Sequence, residues 1–281
     1  MRVRAVTSTL KTIGLTAVLA APLSGVAQEQ LILTAPPRES PEAGERMYGP
    51  LARQLTELLG RPVVYEHPKA WQTYSFQMRR GRYDIVFDGP HFAAWRMVHI
   101  EHVPLVKLPG SLVFVVITQA DNDEVRSLDD LNARKVCGIA SPNLGTMTLL
   151  SQYPNPARQP LVVDVRQGGF KAVYQAWKDG KCEAAVMRDA FFAKKVPEED
   201  KAGIKVIFTS RPVPNQTITV GPRITATQRS RLVEQWLTET GAVGAQGIFQ
   251  RFSRRTTRFD PADPVAYNGL NNLLEGLVWG W

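Results

Sequence analysis

Short β-rich runs alternate with segments of helical periodicity along most of this chain, and few architectures accept that order. "LILTA" (31–35) is a strand, and "ERMYGPLARQLTELLG" (45–60) repeats apolar residues at helical spacing before stopping at Gly60. "PVVYEH" (62–67) is a second strand, "WQTYSFQMRRG" (71–81) a second helix, and "DIVF" (84–87) a third strand with a helix beginning at Pro90. Strands that take turns with helices pack as parallel sheets covered by crossover helices, so the fold class is α/β.

"SLVFVVITQ" (111–119) is long and continuously apolar, as expected of a strand running between two lobes. A second series then starts. "SLDDLNARKVCGIA" (127–140) reads as a short capped helix leading into a strand, and "GTMTLLSQY" (145–153) as a helix. "PLVVDV" (160–165), "EAAVM" (183–187) and "IKVIFTS" (204–210) are strands, with the helix "GGFKAVYQAWKDG" (168–180) between the first two. "NQTITVG" (215–221) crosses back, and helices in "TATQRSRLVEQWLTETG" and "DPVAYNGLNNLLEGLVWGW" end the chain. The organisation predicted is lobe one over 28–115, lobe two over 116–216, and completion of lobe one over 217–281. Two crossings make a clamshell, hinged at 111–119 and 215–221. Its site lies beyond the carboxyl ends of the strands, where helix N-termini converge.

The first 27 residues have a basic start, a short apolar core and small residues at Gly25-Val-Ala27. That is the pattern of a cleaved export signal, and the apolar run is too short to span a bilayer comfortably. A mature chain exported to a periplasm is expected. The formal charge of +8 falls to +5 once Arg2, Arg4 and Lys11 of this acid-free segment are set aside. No basic stripe with interleaved aromatics appears, and "RFSRRTTR" (251–258) reads as a solvated helix end, so no nucleic-acid partner is expected. Two cysteines, Cys137 and Cys182, cannot close a zinc site alone; in an oxidising compartment they form a disulfide or remain reactive thiols. "HIEH" (99–102) reads as exposed histidines, leaving no metal site, and no nucleophile elbow or phosphate loop occurs.

The chemistry concentrates at Asp88-Gly89-Pro90-His91. Gly89 permits an unusual backbone angle and close approach of a ligand. Pro90 suits the first helical position, and the free amides of that turn are anion donors. His91 adds a pH-sensitive hydrogen-bonding group. Asp88 either caps the helix or meets a cationic or neutral polar end of a ligand, and it disfavours a simple anion. Asn143 and Thr146 flank another helix start, and Gly168 and Gly169 a third. Trp71 either stacks on a ligand or fills the core, with Tyr74 a lesser candidate. Asp189, Arg188, Arg38 and Glu39 stand past strand ends, as ligand partners or as structural ion pairs.

Taken in order, "YGPLARQLTELLGRPVVYE", "MRRGRYDIVFDGPHFA", "SLDDLNARKVCGIASPN" and "AVYQAWKDGKCEAAVMRD" resemble the phosphate/phosphite/phosphonate-type substrate-binding proteins of ABC importers. The resemblance implies the type 2 periplasmic-binding fold, two αβ lobes with a two-strand hinge and a cleft between them. It implies no enzyme activity, no cofactor, and a monomer that captures a small polar ligand, phosphonate-like or zwitterionic, by hinge closure. The partner implied is an importer permease or, alternatively, a membrane sensor kinase. Carried onto this sequence, the family's site falls on Trp71, Gly89-Pro90, the 141–146 loop with Asn143, Gly145 and Thr146, Gln167-Gly168-Gly169, and Met187-Arg188-Asp189. The hydroxyl-rich stretch of phosphonate-type members is replaced by Asn143-Leu-Gly-Thr146, and the His of the next loop by Gln-Gly-Gly-Phe. If the family's strand order holds, Cys137 and Cys182 lie on neighbouring strands and would staple lobe two.

Overall fold

Ser40 and Gly60 set the limits of the first long helix. The Ser40 hydroxyl accepts from the Ala43 amide at 3.3 Å, Pro41 occupies the first helical position, and Gly60 stops the helix with φ 66°. The helix therefore starts before the Glu45 expected from periodicity, because its cap is polar and carries no apolar signal. Tyr48, Leu51, Leu55 and Leu59 recur at the spacing of one helical face and are all buried.

This computed structural model describes residue 1, residues 29–165 and residues 167–275, so the export signal read over 1–27 lies, Met1 aside, outside the described residues. In chain order the elements are β1 (Leu31–Thr34), α1 (Pro41–Leu59), β2 (Val63–Tyr65), α2 (Trp71–Arg79), β3 (Ile85–Asp88), α3 (Pro90–His99) and β4 (Val103–Lys107). Then follow β5 (Ser111–Leu112), β6 (Phe114–Gln119), β7 (Lys135–Gly138), α4 (Leu144–Leu150), β8 (Leu161–Asp164), α5 (Gly169–Lys178), β9 (Ala184–Arg188), α6 (Asp189–Lys195), α7 (Glu198–Lys201) and β10 (Ile204–Thr209). The chain closes with β11 (Val213–Pro214), β12 (Thr217–Val220), α8 (Ala226–Trp236), α9 (Gln246–Phe252), β13 (Asp260–Pro261) and α10 (Asn272–Glu275).

The strands divide between two lobes. One sheet has the order β13-β4-β12-β3-β1-β2, the other β10-β6-β9-β7-β8. In each, the βα-connected strands are parallel and the crossing strand is antiparallel: β12 lies against β3 and β4, and β6 against β9 and β10. The run 111–119 is not one strand. It breaks into β5 and β6, and β6 belongs wholly to the second sheet. Between the sheets the two crossing segments pair with each other, Leu112 opposite Val213 and Ser111 opposite Pro214.

Both faces of each sheet are covered, which is why these strands read as unbroken apolar runs. Ile85 and Phe87 pack with α1, α8 and α9 through Leu51, Leu55, Trp236 and Phe249, while Val86 packs on the other face with Tyr74, Met78 and Phe92. In the second sheet Val115 and Ile117 meet Val173 and Trp177 of α5, and Val116 meets Leu149 of α4. The period-two alternation of a strand places neighbours on opposite faces, and each face here has its own helix layer. Cys137 and Cys182 are joined by a disulfide in the second lobe, across a sequence separation of 45 residues. A bridge closing a loop of that size contributes roughly 2–4 kcal/mol.

One expected helix is shorter than its pattern. The segment 127–140 holds only a 3-10 turn at Asp129–Leu131 before β7, fastened by the Asp130 carboxylate, which accepts from the amides of Arg126 and Ser127 at 2.9 Å. As far as residue 275, the C-terminal segment is a 3-10 turn at Pro264–Tyr267, a Gly269 with φ 78°, and then α10; the rest of the helix expected there lies outside the described residues. Among the described residues no helix is long and apolar enough to cross a membrane.

Candidate functional site

A cavity of about 830 Å³ lies where the strand ends of the two lobes face each other. Lobe one contributes Pro37 and Arg38 after β1, Trp71 at the start of α2, Gly89, His91 and Phe92 at the start of α3, and Arg251 from α9. Lobe two contributes Phe114, the 139–144 loop, Gln167 to Phe170, and Arg188 at the end of β9; Leu112 and Gln216 come from the crossing segments.

Of the residues expected to bind, Trp71, Gly89, His91, Asn143, Gln167, Gly168 and Gly169 line this cavity. Asp88, Pro90, Gly145, Thr146 and Asp189 do not. Asp88 is fully buried inside lobe one, where Arg96 grips it through two parallel bonds, Nη1 to Oδ2 at 2.6 Å and Nη2 to Oδ1 at 2.8 Å. The Tyr74 hydroxyl also donates to it, and Arg96 spends further donors on the Thr219 hydroxyl at 2.9 and 3.1 Å. Asp88 is therefore neither a cap nor a ligand group, and its argument against an anionic ligand falls away. Thr146 is buried with its hydroxyl donating to the Ile139 carbonyl at 2.5 Å. Gly145 sits under Phe114, where a Cβ would stand 2.7 Å from the ring. Asp189 turns its carboxylate onto the next amide, that of Ala190, at 2.5 Å.

Gly89 is required for a reason other than its backbone angle. Its φ of −73° suits any residue, but a Cβ there would lie 2.8 Å from Cε1 and 3.0 Å from Nδ1 of His91. In the first turn of α3, Pro90 has no amide hydrogen, and the amides of Phe92 and Ala93 both donate to the Gly89 carbonyl at 3.1 Å. The turn thus offers fewer free donors than the full set expected. Asn143 caps α4, its side chain accepting from the Gly145 amide at 3.0 Å. Gly168 caps α5 with φ 86°, a left-handed angle that favours glycine. Trp71 stacks on Phe92 with ring centres 6.1 Å apart and planes 19° from parallel, forming one apolar wall.

Among the described residues lining the cavity, the charged side chains are of one sign. Arg38, Arg188 and Arg251 line it, and no described lining residue is a carboxylic acid. Arg251 is partly satisfied by Glu39, Nε to Oε1 at 3.1 Å, and both Arg38 and Arg251 lie over the Phe252 ring, at 5.7 and 5.1 Å. Arg38 Nη1 and Arg188 Nε are buried without a hydrogen-bond partner. Burial lowers the hold of the Arg188 guanidinium on its proton, the cost that an incoming anion would relieve. Sequence reasoning missed Arg251, which reaches the cavity only because α9 packs across the lobe. It left Arg38 and Arg188 open between ligand partners and structural ion pairs.

His91 joins the lobes. Its Nε2 lies 3.1 Å from the Pro142 carbonyl of lobe two. A carbonyl only accepts, so Nε2 carries the hydrogen and Nδ1 is a bare acceptor, buried without a partner. Burial pushes the imidazole down to about 4, so it is neutral at neutral pH. The second histidine of "HIEH" is not exposed as expected: His102 is buried against Thr219, Nδ1 to Oγ1 at 3.2 Å, while His99 meets Glu275 at 2.9 Å on the surface. Among the described residues no group of three or more His, Cys, Asp or Glu side chains is placed to hold a metal.

No curated protein matches the chain. Among solved structures, XAC2383 from Xanthomonas citri, bound to ATP, superposes with a TM-score of 0.66 at 16% identity, over 88% of this chain and 96% of its own. PhnD1 from Prochlorococcus marinus, in complex with methylphosphonate, gives 0.58 at 12% identity, over 88% and 97%. A binding protein component of an ABC phosphonate transporter from Pseudomonas aeruginosa gives 0.56 at 12% identity, over 87% and 85%. At these identities the likeness is one of fold, that of the type 2 periplasmic-binding proteins. The family match is broader: "ABC transporter, phosphonate, periplasmic substrate-binding protein" covers residues 33–267, most of the sequence. With two lobes, a cavity between them and that match, the chain belongs to the phosphonate-type periplasmic substrate-binding proteins of ABC transporters, a family of binders rather than enzymes.

Proposed function

We propose that this protein captures a small oxyanion with an organic substituent between its lobes, closes on it, and delivers it to an ABC importer permease. The observation that carries the reading is the charge of the cavity: Arg38, Arg188 and Arg251 with no described carboxylate among the lining residues. An arginine fork matches phosphonate and carboxylate oxygens, and buried guanidinium nitrogens without partners favour an anion strongly. Trp71, Phe92, Phe114 and Phe170 supply apolar walls, and about 830 Å³ leaves room for a substituent larger than methyl. The phosphorus oxyanions bound to XAC2383 and PhnD1 support the same class. Closure would bend the ribbon formed by β5 and β11, since few residues there connect the lobes. A sensory role has no contact in its favour.

Thermal unfolding with methylphosphonate, phosphate, phosphite, sulfate, arginine and glutamine tests this. At one hundred times its dissociation constant a true ligand stabilises by about 2.7 kcal/mol. An oxyanion is expected to do so and arginine is not, and Arg188→Met should abolish the gain. Stabilisation by arginine alone, or oxyanion gains untouched by Arg188→Met and Arg38→Met, would reject the reading.

A further inference from the structure

The donors of the cavity do not discriminate among oxyanions. Arg38, Arg188 and Arg251 offer N–H groups that any tetrahedral anion satisfies, whether sulfonate, sulfate, phosphonate or phosphate. His91 is different. Its ring is 2% exposed, and the Pro142 carbonyl fixes the hydrogen on Nε2. That leaves Nδ1 as a lone-pair acceptor with no partner. It stands beside Gly89, which also lines the cavity and where a Cβ would lie only 3.0 Å from Nδ1.

Resting on the anion-binding reading above, we propose that His91 Nδ1 accepts a hydrogen bond from a protonated oxygen of the ligand. The site then takes an oxyanion that still carries one hydrogen, such as a monoprotonated phosphonate, and discriminates against an anion of the same shape and charge that has none. A fully deprotonated oxygen facing Nδ1 sets lone pair against lone pair where water is excluded. Leaving such buried groups unsatisfied costs between about fivefold and a hundredfold in affinity. The charged groups facing the ring are Asp88 and Arg96, which neutralise each other, and Arg38; from lobe two the contact is the uncharged Pro142 carbonyl. Burial, reinforced by Arg38 and Arg96, outweighs the Pro142 bond and Asp88, so the ring stays an acceptor across the range in which phosphonates lose their last proton.

The test is calorimetric titration of the full mature protein with methylphosphonate and methanesulfonate, then with phosphate and sulfate, from pH 6 to pH 9. Monoprotonated methylphosphonate and methanesulfonate share charge and shape, so the hydrogen is what differs. Methylphosphonate is expected to bind at least tenfold tighter than methanesulfonate at pH 6. Its affinity should fall as the pH rises through its own last proton dissociation. A purely electrostatic site would show the opposite trend, because the dianion forms as pH rises. His91→Phe should bring the two ligands to near-equal affinity and flatten the profile. Gly89→Ala, which sets a methyl against Nδ1, should do the same if His91→Phe does not fold. Equal binding of both ligands by the unaltered protein, lost in Arg188→Met, would overturn the His91 assignment and leave the anion reading standing. Binding of neither pair would overturn both.

Discussion

Asp88 and His91 stand three positions apart, both buried, and their surroundings differ completely. Asp88 ends β3 facing the interior of lobe one, where both its oxygens are engaged by Arg96 and Tyr74. His91 opens α3 facing the cavity, with one nitrogen bonded across to lobe two and the other bonded to nothing. The same contrast separates the arginines. Arg96 is saturated by Asp88 and Thr219, whereas Arg38 and Arg188 keep buried nitrogens open. Polarity at these strand ends thus falls into two kinds: the groups inside lobe one are matched, and those at the cavity, His91, Arg38 and Arg188, keep an atom unmatched.

Breaking the matched side should have the largest effect. Asp88→Ala leaves Arg96 charged and uncompensated in the core, and a loss of about 3–5 kcal/mol is expected in urea unfolding. Asp88→Ala with Arg96→Met should recover part of it. A loss below about 1 kcal/mol in the single variant would show that the pair does not anchor lobe one.

The histidines give a second, smaller lever. Burial holds His91 at about 4 and His102 at about 2, against an ordinary value of 6.5. The unfolded chain binds these two protons as pH drops through 6.5, and the folded chain does not. Stability is therefore complete above that pH and declines below it, by about 1.4 kcal/mol per pH unit for each ring. The His91 share ends near pH 4, and the His102 share continues toward 2. Unfolding curves at pH 7.5, 6.5 and 5.5 check this: His91→Phe should shed half the slope, and a flat profile would contradict the burial of both rings.

Altering the unmatched side should barely move stability. Arg188→Met removes a half-buried cation whose buried Nε has no partner, so the change is expected within about 1 kcal/mol, in the stabilising direction. A loss of several kcal/mol would mean that Arg188 is structural and would erase the contrast with Arg96.

The strands and their alternation with helices were legible because burial on two faces writes itself as short apolar runs. The cleft loops at Gly89, Asn143 and Gly168 were legible as well, since strand ends and helix starts are local events. The partners of Asp88 were not. Thr219 comes from a strand far along the chain, and nothing local says whether a carboxylate faces inward or outward. Arg251 was hidden for the same reason: its contact with Glu39 joins residues 212 positions apart. The angle expected of Gly89 was a plausible use of glycine, but the actual need is the space taken by the ring of His91.

The disulfide has a consequence for the covalent topology of the cleft. Residues 137 and 182 close a ring of chain that contains both lobe-two loops of the cavity, 139–144 and Gln167 to Phe170. Most of that half of the site therefore hangs on one macrocycle, with Phe114 and Arg188 just outside it. A protease cut anywhere within the ring would nick the protein without releasing a fragment, whereas lobe one contributes its side chains from separate stretches with no such tether.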